Sequence, residues 1–164
     1  MTTLRPYLPA DAPLLAILMQ ASVEELAVDD YTEEQRAAWL AETADEAAWA
    51  KKLAGHLTLV ALDEDSEPVA FAVLVQNKAI THVHVHPDLI GMGLGRTLCE
   101  ACITLAKARG GDMLVADVSD NAKGFFEKLG FEAKARNTIN YGDEWLGMTT
   151  MEKLLKAPAS ATVQ

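Results

Sequence analysis

Three glycines at alternate positions, Gly91, Gly93 and Gly95, constrain the fold of this chain more than any other stretch. A run of β-forming residues precedes them, and an amphipathic run that predicts a helix follows. Glycine tolerates positive φ and lets the backbone approach a ligand closely. A strand that enters a helix through such a loop places free N–H groups at the positive end of the helix dipole. The pattern therefore predicts a site for an anion, most often a phosphate.

Two common nucleotide-binding motifs do not fit the spacing of these glycines. The P-loop requires G-x-x-x-x-G-K-[ST], and no lysine follows Gly95 in that way. The dinucleotide fingerprint G-x-G-x-x-G requires glycine where this chain has Arg96. A turn without a ligand needs only one or two glycines, so three in alternation before a helix favour ligand binding.

The chain has 164 residues, half of them hydrophobic, and a net charge of −10. This length and composition predict one folded domain over residues 1–155, with a disordered tail of small residues at 156–164. Nucleic-acid binding depends on lysine and arginine, so we expect no nucleic-acid partner. The sequence shows neither a signal peptide nor a membrane-spanning stretch, which predicts a cytoplasmic protein without membrane association.

Helix signals dominate the first third of the chain. Asp11 is a good N-cap residue for a first helix, which carries apolar residues at helical spacing up to residue 26. Capping boxes predict that two more helices begin at Thr32 with Gln35 and at Thr43 with Glu46.

Strand patterns dominate the rest of the chain, and helices are predicted over 93–109 and 122–129. Three strands between residues 56 and 86, joined by short turns, predict an antiparallel meander. The strand, helix and strand from 79 to 118 predict a parallel crossover. Two closing strands are joined by a loop that holds Tyr141 and Trp145. The predicted strands are 4–8, 56–62, 69–75, 79–86, 113–118, 131–135 and 147–154.

Two motifs in the right order resemble those of the GNAT superfamily of N-acetyltransferases. Residues 83–95 are similar to the family's strand ending in hydrophobic-x-Val, followed by [Gln/Arg]-x-x-Gly-x-[Gly/Ala] at a helix start. Residues 121–131 are similar to its N-x-x-x-x-[FY]-[FY]-x-x-x-G-F block. The order of elements matches over residues 3–155, and the start of the chain resembles small bacterial members with poorly assigned substrates. The resemblance implies an α/β fold with a mixed, mostly antiparallel sheet of six to seven strands, split at the parallel fourth and fifth strands and flanked by four to five helices.

The resemblance also implies a site for acetyl-CoA as co-substrate. In the family, the backbone of the fourth strand pairs with the pantetheine arm, and loop N–H groups hold the pyrophosphate. Asn121 matches the family's contact from the next helix, and Lys123 is placed to reach a phosphate. The residues expected to bind the cofactor are Val83, His84, Val85, Gly91, Met92, Gly93, Leu94, Gly95, Arg96, Asn121 and Lys123.

Two departures from the family pattern affect these expectations. The family's first Gln or Arg is Ile90, and apolar Met92 and Leu94 stand where basic residues are common, which predicts weaker CoA affinity. The family's tyrosine, an acid for the thiolate leaving group, is Phe126. A thiol has an ordinary pKa of about 8.5, so the thiolate leaves without such an acid. Tyr31 or Tyr141 is an alternative donor.

Histidines at alternate positions of the fourth strand are the main candidates for the general base. A regular strand places His82, His84 and His86 on one face, and imidazole titrates near neutral pH. His84 and His82 are the first choices, Asp117 is the third, and the N–H of Val85 is the expected oxyanion donor. Two histidines at this spacing also suit a metal ion, but the sequence offers no clear third ligand, so no metal site is assigned.

The expected function is acetyl transfer from acetyl-CoA to a primary amine of a small molecule or protein. Cys99 and Cys102 fall on a helix face predicted to be buried, so attack is expected to be direct, without a cysteine intermediate. The alternative is a non-catalytic CoA-binding or regulatory module with a degenerate site. The acidic charge favours a cationic acceptor, and a homodimer is compatible with the family.

Overall fold

A seven-stranded mixed sheet forms the centre of the protein, whose computed structural model describes residues 2–156. The strand order is β1-β2-β3-β4-β5-β7-β6, and only the β4–β5 pair is parallel among these strands. The strands are β1 Thr3–Pro6, β2 Leu57–Leu62, β3 Pro68–Val75, β4 Ala79–Val85, β5 Met113–Val118, β6 Glu132–Tyr141 and β7 Glu144–Leu154. The helices are α1 Ala12–Leu26, α2 Glu33–Leu40, α3 Glu46–Ala54, α4 Leu94–Ala108 and α5 Lys123–Lys128. The predicted α/β fold, its meander and its crossover are confirmed.

A separate hydrophobic core lies on each face of the sheet. Helices α4 and α5 cover one face, where Leu98 and Cys102 pack against Ala72. Helices α1 to α3 cover the other face, where Trp49 packs against Phe71. Because β3 contributes to both cores, its sequence is an almost continuous apolar run instead of an alternating one.

Strands β4 and β5 diverge soon after they meet. Their register pairs only Ala79 with Val115 in the described part of the chain. The β3–β4 register changes between Val73↔His82 and Leu74↔Ile80, which leaves Thr81 as an extra residue in β4. Such a β-bulge bends a strand and increases its local twist. The bend therefore accompanies the opening of a gap between the two strands.

The starts of α1 and α3 differ from the predicted capping. The Asp11 carboxylate does not cap α1, because it accepts hydrogen bonds from Arg5 and from the Leu8 N–H. Helix α3 begins one residue after Asp45, whose side chain accepts from the Ala48 N–H, whereas the Thr43 hydroxyl donates to a carbonyl before the helix. Asp11 therefore occupies the predicted N-cap position of α1 without a side-chain bond to the helix, whereas the predicted start of α3 at Thr43 is wrong. The capping box at the start of α2 is confirmed.

The last two strands are longer than predicted. Strand β6 runs to Tyr141 and β7 begins at Glu144, so the two form a tight hairpin that turns at Gly142, with φ +62°. The predicted loop that held Tyr141 and Trp145 is therefore wrong, since both residues lie within strands. Polar residues fill exposed β6, so it lacked the apolar alternation that identifies a strand.

The predicted tail at 156–164 lies outside the described residues apart from Lys156. Within residues 2–156, none of the helices has the length and apolar character needed to cross a bilayer.

Candidate active site

A cleft of about 590 Å³ follows the opening between β4 and β5. We call it the glycine-loop cleft. Most of its lining comes from β4, the end of β5, the glycine loop except Met92, the first turn of α4, and α5 with the residues before it. It also passes through the split to Ser22 and Leu26 of α1 on the other face of the sheet.

The open edge of β4 presents backbone groups to this cleft. Along a strand, backbone N–H and C=O groups point alternately to the two neighbouring strands. The His86 N–H donates to the Val69 carbonyl on the β3 side, at 2.9 Å. The N–H groups of Val85 and Val83 therefore point the other way, towards the gap beside β5. They are available to an extended ligand or to a developing negative charge.

The glycine loop has an open backbone with unpaired N–H groups. Gly91 has φ +87° and Gly93 has φ +83°, and a Cβ at either position would meet no atom within 4 Å. In residues 2–156, the N–H groups from Gly91 to Arg96 have no intramolecular acceptor. Gly95 is different, because a Cβ there would lie 3.2 Å from the ring of Phe125. The first two glycines shape an open cradle, and the third allows close packing of α4 against α5.

Few positive side chains surround this cradle. Arg96 pairs with Glu100 on the same helix, at 2.6 Å. Lys123 does not line the cleft, whereas Lys128, one helical turn and a half further along α5, does. Met92 is 70 % exposed and also lies outside the lining, while the other predicted loop residues and Asn121 lie within it. Backbone groups therefore dominate the cradle.

A second cavity of about 500 Å³ lies on the α1–α3 face of the sheet. We call it the helix-side cavity. Its lining includes Glu42 from the turn between α2 and α3 and Lys52 from α3. The two cavities meet at the strand split, where they share seven lining residues. These are Trp39, Ile80, Thr81, His82, Ala116, Asp117 and Tyr141.

A hydrogen-bonded chain crosses this meeting point. The His82 Nδ1 lies 2.8 Å from the Thr81 hydroxyl, and its Nε2 lies 3.1 Å from the Glu42 carboxylate. The other oxygen of Glu42 accepts from Lys52, at 2.7 Å. Burial opposes ionisation of Glu42, but hydrogen bonds and charges from His82 and Lys52 outweigh it and lower the pKa from 4.5 to about 2. Glu42 is therefore an anion at neutral pH. Its contact with His82 could not be predicted from the sequence, because the two residues are 40 positions apart.

His84 has a different environment from His82. Its ring lies beside Phe71 and Trp39, and its Nδ1 is 3.3 Å from the Ser22 hydroxyl. Burial, assisted by the nearby charge of His82, lowers its pKa from 6.5 to about 3. This imidazole is neutral at pH 7 and is a weak proton acceptor.

The third histidine, His86, lines neither cavity. His86 lies beyond the end of β4, and its Nδ1 accepts from the Asp88 N–H. The rings of His82 and His84 contact each other, whereas His86 follows Val85, the last residue of β4. Among the described residues, no group of three His, Cys, Asp or Glu side chains is placed to hold a metal ion.

Asp117 and Tyr141 both lie at the meeting point of the cavities. The Asp117 side chain accepts from the Thr150 hydroxyl, at 2.6 Å. Burial, together with the charges of Glu42 and Asp117, raises the pKa of Tyr141 to about 12. Tyr141 therefore keeps its proton at neutral pH and can donate a hydrogen bond.

Other candidate groups lie in structural positions. The Tyr31 hydroxyl donates to the Gly147 carbonyl, at 2.6 Å, and accepts from the Asp120 N–H. Phe126 packs in the core against two other phenylalanine rings. Cys99 and Cys102 are fully buried, as predicted, and burial raises the pKa of Cys102 to about 12.

A glycine cradle at a helix start, next to a sheet split at parallel strands, defines an acyltransferase-type site. Comparison with known families agrees, because residues 27–155 match the model of the acetyltransferase (GNAT) domain. The chain belongs to the GNAT family of acetyltransferases.

Known relatives share much of this chain. A GCN5-related N-acetyltransferase from Rhodopseudomonas palustris is 47 % identical, with a TM-score of 0.91, and the match covers 94 % of this chain and 96 % of that structure. YncA of Salmonella typhimurium, solved with acetyl-CoA, is 25 % identical with a TM-score of 0.66 over 97 % and 96 % of the two chains. The peptidyl-lysine N-acetyltransferase YjaB of Salmonella typhimurium is 32 % identical over 49 % of this chain and 54 % of its own.

Proposed function

We propose that this protein transfers an acetyl group from acetyl-CoA to a primary amine of a small molecule or peptide, by direct attack in a ternary complex. The observation that carries this proposal is the meeting of two cavities from opposite faces at the β4–β5 split. One cavity suits a phosphate-bearing donor and the other suits an amine. Reactants that enter from opposite sides can therefore meet without a covalent enzyme intermediate.

The glycine-loop cleft supports the donor half of this proposal. The backbone of Val83 and Val85 offers an unpaired strand edge to the amides of pantetheine, and the unpaired N–H groups from Gly91 to Arg96 suit the pyrophosphate. Asn121 and Lys128 are placed to add side-chain contacts. YncA, which has the same fold, was solved with acetyl-CoA bound.

The helix-side cavity supports the acceptor half. Two carboxylates, Glu42 and Asp117, line it together with the aromatic rings of Trp39 and Tyr141. Carboxylates and aromatic faces both attract cationic amines. A lysine side chain of a peptide is one acceptor with this chemistry, and the relative YjaB is a peptidyl-lysine N-acetyltransferase.

We assign the base role to His82 in preference to His84. His82 lines both cavities at their meeting point, whereas burial makes His84 a weak proton acceptor. The N–H of Val85 is placed to stabilise the developing oxyanion as the amine attacks the thioester carbonyl. The thiolate leaves on the side of the glycine-loop cleft, and Tyr141 is a protonated donor near the split.

Thiol release from acetyl-CoA with a panel of primary amines and lysine peptides tests this proposal. We expect release that depends on the amine, with intersecting double-reciprocal plots as required for a ternary complex. Parallel plots with an acetylated enzyme would contradict direct attack. Tight CoA binding without thiol release for any acceptor would instead support a non-catalytic CoA-binding module, for which the weakly basic cradle and Phe126 are the favouring observations.

A further inference from the structure

We propose that Thr81, His82 and Glu42 form a proton relay in which the Thr81 hydroxyl takes the proton from the acceptor amine and passes its own to His82. This inference rests on the proposed acetyl transfer and deepens it. It adds Thr81 as a catalytic residue and Glu42 as a positioning residue.

The carboxylate determines which nitrogen of His82 carries the proton. An ionised Glu42 only accepts hydrogen bonds, so the Nε2 of His82, 3.1 Å away, must be the N–H donor. In a neutral imidazole the other nitrogen then has a lone pair. The Thr81 hydroxyl, 2.8 Å from that Nδ1, must therefore donate its proton to it. This leaves the lone pairs of the Thr81 oxygen free to accept a hydrogen bond from a ligand.

The bulge places this hydroxyl at the strand split. Thr81 is the extra residue of β4, it is exposed, and it lines both cavities. His82 is only 9 % exposed, so the threonine extends its basic function into solvent-accessible space. An amine in the helix-side cavity would thus meet the Thr81 oxygen before it met the imidazole ring.

Each proton in this step has a defined donor and acceptor. The ammonium form of the acceptor gives one proton to the Thr81 oxygen while the hydroxyl proton moves to the Nδ1 of His82. Thr81 is unchanged, and the imidazolium is stabilised by Glu42 on its other side. The nitrogen lone pair then forms the C–N bond as the C–S bond breaks. The thiolate takes the second amine proton, and His82 returns its proton to solvent.

The turn that carries Glu42 is well anchored. The Thr43 hydroxyl next to it donates to the Leu40 carbonyl, at 2.8 Å, and accepts from Gln20 of α1, at 3.1 Å. Lys52 holds the second carboxylate oxygen. Glu42 is therefore held in one orientation, which a residue that positions a catalytic imidazole requires.

Replacement of Thr81 by valine and by serine tests the relay kinetically. Thr81→Val removes the hydroxyl with little change in shape, and we expect kcat to fall about 100-fold, the lower range for lost proton transfer. The KM for acetyl-CoA and the thermal midpoint should change little. Thr81→Ser restores a hydroxyl and should recover kcat to within about threefold of the wild type. Glu42→Gln keeps a hydrogen-bonding group without the charge, and should lower kcat about tenfold.

Thr138→Val is the matched control, since Thr138 is exposed on β6 and lines neither cavity. It should leave kcat unchanged. Full activity of Thr81→Val, or equal losses for valine and serine, would overturn the relay while acetyl transfer by the wild type would still support the proposed function.

A readout independent of turnover is the tautomer of His82, measured by imidazole ¹⁵N–¹H correlation spectra. We expect the Nε2–H tautomer in the wild type and a changed Nδ1 shift in Thr81→Val. A neutral Nδ1–H tautomer would overturn the relay even if no acceptor were found, because the Thr81 hydroxyl would then accept a hydrogen bond from His82 instead of donating one.

Discussion

The two cavities that meet at the β4–β5 split differ in the source of their polar groups, which are backbone groups in one and side chains in the other. The anion site that we propose in the glycine-loop cleft consists of consecutive backbone N–H groups within Gly91–Arg96. The helix-side cavity obtains its charge from side chains on separate elements, with Glu42 before α3 and Asp117 on β5. The first site depends on local conformation and the second on tertiary packing.

The two cavities should differ in their tolerance of side-chain substitutions. A cradle made of backbone N–H groups does not depend on the identity of most side chains. The apolar residues Ile90 and Met92, which are exposed beside it, therefore leave its N–H groups in place. A site made of paired side-chain charges, such as Glu42 with His82 and Lys52, depends on each partner, because the loss of one leaves the other uncompensated. The two sides should therefore respond differently to substitution, to acid and to loss of charge.

The largest expected effect is on the backbone cradle. Gly93→Ala places a methyl group in the open cradle and forces a side chain into φ +83°. Loss of two charge-assisted hydrogen bonds to phosphate, of about 1.5 kcal/mol each, predicts an approximately 100-fold weaker Kd for CoA. Isothermal titration calorimetry with CoA measures this change.

Gly110→Ala is the matched control at the other end of α4. Gly110 has φ +85° and equally empty surroundings, and it does not line the cleft. Both variants should lose about 1–2 kcal/mol of folding free energy from the left-handed backbone. Equal losses of CoA affinity in the two variants would assign the effect to strain in the helix and not to the cradle.

The next effect concerns acid, which acts on the buried imidazole of His84 in the lining of the glycine-loop cleft and not on the backbone N–H groups of the cradle. The folded-state pKa of His84 is about 3, below its ordinary value of 6.5. Between these values the unfolded chain binds a proton that the folded chain excludes, so the stability is present above pH 6.5 and is lost as the pH falls. At pH 5 this single group predicts a loss of about 2 kcal/mol, measured by urea unfolding.

The control is the pH dependence of the unfolding free energy of His84→Gln, because glutamine has no side-chain group that takes up a proton in this pH range. Glu42 adds a further loss only between pH 4.5 and about 2, outside this window. The unfolding free energy of the variant should therefore fall less between pH 7 and pH 5. Parallel pH curves for wild type and variant would show that protonation of His84 is not the source of the loss.

Sequence reasoning succeeded where structure is local. The strand before Gly91, the helix after Gly93 and the capping box at Thr32 follow from a few adjacent residues, and the structure confirms them. Hydrophobic periodicity likewise predicted the buried face of α4, which carries Cys99 and Cys102.

Features that depend on residues far apart in the sequence could not be predicted. Nothing near His82 in the sequence indicates that Glu42 is its partner, and no local pattern indicates the bulge at Thr81, which depends on the register with β3. The alternation of histidines suggested one shared face, but it carried no information about burial. His82 and His84 look equivalent in the sequence and are both buried, whereas only His82 lines both cavities and bonds to a carboxylate.

A smaller effect tests the charge of the helix-side cavity. Asp117→Asn removes one exposed carboxylate at the meeting point, and an exposed charge contributes up to about 1 kcal/mol. The KM for a cationic amine should rise about fivefold, whereas the Kd for CoA should not change. Asp143→Asn, in the nearby β6–β7 turn but outside the lining, is the charge-matched control. A rise in KM in both variants would indicate a general effect of net charge.

The smallest expected effect concerns the few side chains that assist the cradle. Lys128 and Lys123 lie on the same short helix and carry the same charge, but only Lys128 lines the glycine-loop cleft. A single exposed lysine near a phosphate contributes a fraction of a kcal/mol, so Lys128→Ala should weaken CoA binding about threefold and Lys123→Ala should not. The difference should shrink in 0.5 M salt, because screening weakens exposed charge pairs. A loss with Lys123→Ala that equals or exceeds that with Lys128→Ala would place the phosphates nearer the start of α5. It would mean that side chains, and not only the backbone, determine how the donor lies in the cleft.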